Sequence, residues 1–338
     1  MLKHLTRRDL NRFLARLNTT YRLQVPQGLA DGTRQLVSYT GGELSLSGPR
    51  PQRKPTAFFF PQTQTLLRIA ADGGSEIPQA AGKPLALFGL DRADLAGIAF
   101  LDRFFMAAPA DDVYLRNRQG ALLVGLTGAA GPDRSFLPLA NGSCDIELIA
   151  IRGAWLALGH SGVGRTLLSD FPQGDLKRLA TLRRLSDLAA DPLESLYRAS
   201  LLLREDRVPD EFWAEIADRC ILCSGCNLAC PTCSCFCVQD RQREADTERS
   251  RVWDSCQLDA FMREASGHNP LGTETLRTRR RIHHKLAADV ERWGEIGCVA
   301  CGRCDRACPT GIGILALSAE IVKRYAAAEI SGSQPPEA

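Results

Sequence analysis

Long apolar runs are absent. No stretch approaches the roughly 18 consecutive apolar residues of a membrane-spanning helix, so no membrane insertion is expected. A dominant charge sign is absent as well. Lys and Arg number 42 against 39 Asp and Glu, net +3, a balance that by itself indicates neither a nucleic-acid nor a membrane-surface protein. No apolar signal-peptide core follows Met1-Leu2-Lys3-His4, and residues 9–12 after Arg7-Arg8 are too polar for a twin-arginine leader. The expected location is therefore the cytoplasm, where thiols stay reduced. A dinucleotide fingerprint, a nucleophile elbow, HExxH and kinase motifs are missing. Gly162-Val-Gly164 is a fragment of the first and reads as a turn before a helix near residue 165. No substrate chemistry, and hence no catalytic residue, is expected of this chain. Cysteine is nearly missing from the first 219 residues, which hold only Cys144.

What is present is a cysteine window. Of 13 cysteines, 12 lie between Cys220 and Cys308. A disulfide framework belongs to small secreted domains and has no reason to cluster so on a long chain. With 338 residues, 44% hydrophobic and 24% charged, the chain is an ordinary globular mix with room for about two domains.

The pattern changes along the chain. Thr6 reads as the N-cap of a helix over 5–18, with Leu10, Phe13, Leu14 and Leu17 on one stripe. Short apolar runs at 21–25, 36–39, 43–46 and 57–60, bounded by turn residues, read as strands. Further strands are expected at 84–90 and 121–126, and a hairpin at 145–151 and 154–159 around Arg152-Gly153. Leu95, Ile98, Leu101 and Phe105 give 91–107 helical spacing. Residues 175–190 and 192–205 read as helices, the second opened by Pro192. From 209 to 326 no strand is evident. The expected fold is α+β: a mixed α/β docking domain over 1–165, a helical connector over 166–208, an all-α helical-ferredoxin domain over 209–328, and a disordered tail over 329–338.

The chemistry lies in a motif that occurs twice: Cys220-x2-Cys223-x2-Cys226-x3-Cys230-Pro231 and Cys298-x2-Cys301-x2-Cys304-x3-Cys308-Pro309. Three cysteines at three-residue steps wrap one [4Fe-4S] cubane, and the fourth, before proline, ligates the other cluster. Cluster A then takes Cys220, Cys223, Cys226 and Cys308, and cluster B takes Cys298, Cys301, Cys304 and Cys230. Gly225 and Gly302 would let the backbone close on the cages. Zinc would leave ligands over. The 67 residues between Cys230 and Cys298 read as helical, with Leu258, Phe261 and Met262 in one segment and Ile282, Leu286, Val290 and Trp293 in another.

Four thiols are spare: Cys233, Cys235, Cys237 and Cys256. They are candidates for a third metal site, against the alternative of buried small hydrophobes. The basic run Arg277, Arg279, Arg280, Arg281, His283, His284, Lys285 reads as a solvated helix face or as contacts to anionic clusters and a partner. Nucleic acid is not expected, since it calls for a broader basic stripe with aromatics. His268 and Asn269 are candidates to bond cluster sulfur or to cap a loop.

These residues carry a resemblance. Cys230-Pro-Thr-Cys-Ser-Cys-Phe236, Trp253-Asp-Ser-Cys256, Gly267-His-Asn269, Arg277-x-Arg279-Arg280-Arg281 and His284-Lys285, followed by the second motif, resemble the beta, electron-transfer subunit of soluble heterotetrameric nickel–iron hydrogenases (sulfhydrogenases). The dicluster subunit of anaerobic sulfite reductase is similar over the same region. Leu87-Phe-Gly-Leu90, Asp94-Leu95, Leu101-Asp102 and Asp112-x-Tyr114 echo the family's N-terminal domain. The chain departs from it where Cys237 replaces the usual Asp, where Ala93 stands for a frequent Cys, and over 125–140, which lacks cysteine. The resemblance implies a single-electron relay between a subunit binding FAD and NAD(P) and nickel–iron small and large subunits. The alternatives are the same relay in a sulfite, sulfur or other flavin-dependent reductase, and a non-enzymatic iron–sulfur scaffold.

Overall fold

The structure, a computed structural model, describes residues 1–78, 82–189, 193–244 and 246–326. Pro192 and the tail from 329 lie outside the described residues. The chain divides into two compact units, one of residues 1–61 and 66–190, the other of residues 62–65 and 191–338.

The first unit runs β1 (Leu2–Leu5), α1 (Arg7–Thr20), β2 (Arg22–Gly28), β3 (Arg34–Ser38), β4 (Thr63–Ala70, its start counted with the second unit), β5 (Ser75–Glu76), β6 (Leu85–Leu90), α2 (Arg92–Met106), α3 (Asp112–Arg118), β7 (Leu122–Gly128), β8 (Ile146–Ile151), β9 (Ala154–Gly159), α4 (Gly162–Leu168) and α5 (Leu176–Asp187). Seven strands form one sheet in the order β1-β9-β8-β7-β6-β2-β3. The centre, from β2 through β6 and β7 to β8, is parallel, and β1, β9 and β3 pair antiparallel at the edges. Parallel neighbours need crossovers, and α2 supplies the one between β6 and β7. Strands covered on both faces read as continuous apolar runs, which is how β6 and β7 read. On β8 the period of two is explicit. Ile146, Leu148 and Ala150 enter the core shared with α1, while Ile149 faces a second cluster with Leu2, Leu156 and Leu179.

Two expected strands are corrected. Residues 57–60 fall in a 3-10 turn, Pro55–Phe58, and its exit. Phe59 and Phe60 are both buried, and Pro55 fits a helical first turn. Residues 43–46 form no strand. Gly162 and Gly164 are the first turn of α4 itself, whose cap Ser161 accepts from Gly164 N at 3.0 Å.

The second unit runs α6 (Glu194–Arg204), α7 (Asp210–Arg219), α8 (Gly225–Ala229), β10 (Phe236–Gln242), β11 (Asp246–Trp253), α9 (Glu274–His283), α10 (Asp289–Trp293), α11 (Arg303–Ala307) and α12 (Ile314–Tyr325). The expectation of an all-α domain is corrected by β10 and β11, an antiparallel hairpin extended by residues 62–65, where Trp253 N donates to Gln62 O at 2.9 Å. Sequence periodicity misses it because the buried positions of β11 are Glu248, Ser250 and Arg251. Arg251 lies over the Phe236 ring and donates to Gln64 Oε1 at 2.7 and 3.1 Å, so a polar set does the packing. The helix expected around Leu258, Phe261 and Met262 is one 3-10 turn, Asp259–Met262, with Leu258 and Met262 exposed. Helices α6, α7, α9 and α12 close an apolar core around Leu196, Trp213, Ile282, Leu286, Leu317 and Ile321. Among the described residues no helix is long and apolar enough to cross a membrane.

The start of α1 gives a direct test. Thr6 Oγ1 accepts from Asp9 N at 3.2 Å, and Asp9 Oδ2 accepts from Thr6 N at 3.1 Å, a reciprocal cap. The Thr6 hydroxyl, then its N–H, holds the Asp9 carboxyl below the usual carboxylate value. A depressed carboxylate contributes stability above its unfolded pKa, and that contribution is lost as pH falls through the lower folded one. Thr6→Ala is expected to cost about 1 kcal/mol in hydrogen exchange of the α1 amides, and to weaken their acid dependence below about pH 4. Unchanged exchange would contradict the cap.

Candidate iron–sulfur centre

Each four-cysteine motif sits on the same local scaffold. A loop carries the first two cysteines, and a helix of five residues, α8 or α11, carries the third and leads to the fourth. Positive φ recurs at the same two places in each loop: Leu222 (53°) and Ser224 (61°) in the first, Ala300 (50°) and Gly302 (69°) in the second. Backbone turned this way forms concavities lined by N–H groups, suited to anionic sulfur, and Ala300 N–H bonds to Cys298 Sγ. The sequence expectation for Gly302 holds at a left-handed residue. In the first motif Ser224 takes that conformation, and at Gly225 beyond it a Cβ would meet Cys223 Sγ and Ala307 O only at ordinary contact distance.

The fourth cysteines match as well. Cys230 Sγ lies 3.2 Å from Thr232 Oγ1, and Cys308 Sγ lies 3.4 Å from Thr310 Oγ1. Cys-Pro-Thr stands in both copies, so these threonines were legible in the sequence as a repeated triplet. Asp305 braces the second copy. Its carboxylate accepts from Ala316 N at 3.0 Å and Leu315 N at 3.4 Å, capping α12, and Cys304 Sγ lies 3.4 Å from it.

One small cavity is lined by Cys226, Cys230, Cys298, Cys301 and Cys304, together with Arg281 and Lys285. Cys230 of the first motif thus shares a cavity with three cysteines of the second. Cys298, Cys301 and Cys304 are buried, while Cys223 is exposed. Burial pushes the Cys298 thiol up to about 12 and the Cys304 thiol above the ordinary range, and raises Cys226. Cys230 is held well below its usual value, first by a bond from Cys233. For Cys308, the Thr310 hydroxyl and the N–H groups of Ile312 and Thr310 outweigh burial and lower the thiol.

The basic run splits by helical face. Arg277, Arg281 and Lys285, four residues apart, are buried, while Arg279 and Arg280 stay partly exposed. Arg277 bonds Asp259, Glu274 and Leu271 O. Arg281 donates to Ile312 O at 2.6 Å, and burial opposing its charge is outweighed by Cys226, Cys304, Cys220 and Cys308. Its neighbours thus come from both motifs. Lys285 Nζ donates to Thr232 Oγ1 at 2.7 Å and Gly297 O at 3.3 Å. Burial opposes its charge too, but Cys230, then Cys233, Asp289 and Cys298, hold its pKa well above the usual value. Lys285 lies on a π-helical turn, His284–Ala288, joining α9 to α10, an element frequent at functional sites. Burial lowers His284 to about 4, so its 3.5 Å contact with Asp289 is no ion pair at neutral pH. His268 and Asn269 serve their loop: Glu264 N donates to His268 O, and Asn269 bonds Asp259 and Leu271.

The donor set fits iron–sulfur clusters. Soft thiols converge, buried cations stand beside them, and backbone concavities repeat in both loops. Residues 219–312 match a family model described as a 4Fe-4S dicluster domain. The chain is 30% identical over 285 residues to Sulfhydrogenase 2 subunit beta of Pyrococcus furiosus, an alignment covering 80% of this chain and 83% of that protein. No solved structure matches.

Positive charge at Lys285 favours the more negative, reduced state of a neighbouring cluster. Lys285→Met is expected to move a cluster potential to more negative values in an EPR-monitored redox titration, with Lys285→Arg restoring most of the difference. Equal potentials in all three proteins would contradict this role.

Proposed function

The chain belongs to the family of sulfhydrogenase beta subunits, and from that membership we propose that it relays single electrons in the cytoplasm through two [4Fe-4S] clusters. The relay joins a partner subunit binding FAD and NAD(P) to a nickel–iron module of small and large subunits. Cluster A is held by Cys220, Cys223, Cys226 and Cys308, and cluster B by Cys298, Cys301, Cys304 and Cys230. The observation that carries this reading is the cavity in which Cys230 joins Cys298, Cys301 and Cys304. Charge neighbours support it: Cys230 acts on both Cys298 and Cys304 across 68 and 74 positions of sequence.

An iron–sulfur cluster supplies one-electron transfer when bound. Flavin hydride chemistry moves two electrons at once, so carriers of one electron are required between it and the metal site. The other roles belong to the chain's own residues. Thr232 and Thr310 orient the two crossing cysteines. Arg281 and Lys285 balance anionic charge inside a core that excludes water. Residues 1–165 serve as a docking domain and 166–208 as a connector.

Two measurements test this. If the fourth ligands cross over, Cys230→Ser combined with Cys301→Ser removes one cluster, about four irons per chain, whereas Cys230→Ser combined with Cys223→Ser removes two, about eight. The reverse pattern would sink the crossing. The complex purified through this chain is expected to contain nickel and flavin and to reduce NAD(P) with hydrogen. An active complex lacking nickel would refute the hydrogenase assignment.

A further inference from the structure

Cys233, Cys235 and Cys256 belong to neither motif, yet the structure draws them together. Asn227, buried directly after Cys226, is turned toward two of them. Its Nδ2 donates to Cys256 Sγ at 3.2 Å and to Ser255 Oγ at 2.9 Å, and its Oδ1 lies 3.8 Å from Cys233 Sγ. The backbone N–H of Cys256 bonds to Cys235 Sγ, and Asp254 N donates to Cys235 O at 3.0 Å. These bonds tie the 233–235 loop to the residues leaving β11. Cys233 also bonds Cys230, so the group adjoins the cavity already described.

Arg281 has Cys226, Cys304, Cys220 and Cys308 as charge neighbours. Lys285 has Cys230, Cys233, Asp289 and Cys298 as charge neighbours, and its Nζ donates to Thr232 Oγ1 beside Cys230. Lys285 thus neighbours both a cysteine of the second motif and Cys233, which belongs to neither motif. Cysteines buried as small hydrophobes would need neither a carboxamide turned to their sulfurs nor an ammonium beside them. Cys237 stands apart on β10, opposite Val252, with Gln239 Nε2 at 3.5 Å from its sulfur.

We propose that Cys233, Cys235 and Cys256, without Cys237, hold a third iron–sulfur cluster beside the site of Cys230, Cys298, Cys301 and Cys304. The cluster lengthens the relay by one single-electron carrier, which exchanges one electron with its neighbour. The proposal rests on the two-cluster reading. Asn227 supplies a hydrogen bond to one sulfur, of the kind that orients metal ligands and tunes their potential. Binding releases the thiol protons to solvent.

The test is iron and acid-labile sulfide per chain, with EPR, on the full-length chain purified anaerobically apart from the iron-bearing partners of the proposed complex. Two cubanes account for about eight irons, and a third cluster raises the count to about eleven or twelve. Cys256→Ser is expected to lower the count by about three or four while the EPR signals of the two motif clusters remain, and Cys237→Ser to leave it unchanged. Cys235→Ser reads the same loss should Cys256→Ser fail to fold. Two cubanes' worth of iron in the wild-type protein overturns the third cluster alone. So does one zinc per chain that Cys256→Ser removes. A protein without iron overturns the two-cluster reading and the third cluster with it.

Discussion

Arg281 and Lys285 are full charges inside an apolar core, 5% and 8% exposed. Removing an ion from water costs several kcal/mol unless charge and hydrogen bonds replace what water gave. Here carbonyls and a threonine hydroxyl supply part of the replacement, and sulfur supplies the rest. The thiols have the complementary problem. Burial alone keeps Cys298 and Cys304 protonated, and a metal ligand must lose its proton. Cations and sulfurs therefore stabilise one another, and the second unit is organised around that exchange. Helix α9 places one cation, the π turn after it aims the other, and the two loops present sulfur from opposite ends of the sequence window.

The division of labour between the units follows. The first has a mostly parallel sheet whose central strands are buried on both faces, and it carries one cysteine. That cysteine, Cys144, is raised by burial to about 12 and stays an inert thiol. The second unit holds the other twelve cysteines. Its core is closed partly by the cysteines themselves: Cys298 and Cys304 belong to the same cluster of side chains as Trp213 and Ile321. Redox groups held by such a core are shielded from water, and shielding is one of the levers that set their potentials.

The sequence was readable where one physical rule acts alone. Thr6 with the stripe of Leu10, Phe13, Leu14 and Leu17 announced α1, Arg152-Gly153 announced a hairpin, and the two cysteine motifs announced the region that matches a 4Fe-4S dicluster domain. It misled where polar groups do the packing. The buried positions of β11 are Glu248, Ser250 and Arg251, so no apolar alternation marks that strand. The run from Arg277 to Lys285 showed its charge but not its sidedness, because burial of every fourth cation depends on sulfur arriving from α8 and α11. Asn227 was invisible for the same reason. Its partners lie six and 29 positions away, and only the turn after Cys230 and the β10–β11 hairpin bring them to it.

The most direct measurement of the central claim is EPR of the anaerobically purified protein before and after dithionite. The account predicts a brown protein whose reduction gives overlapping cluster signals broadened by their mutual spin coupling, since cysteines from both motifs line one cavity. A colourless protein, or isolated signals without any coupling, would contradict it.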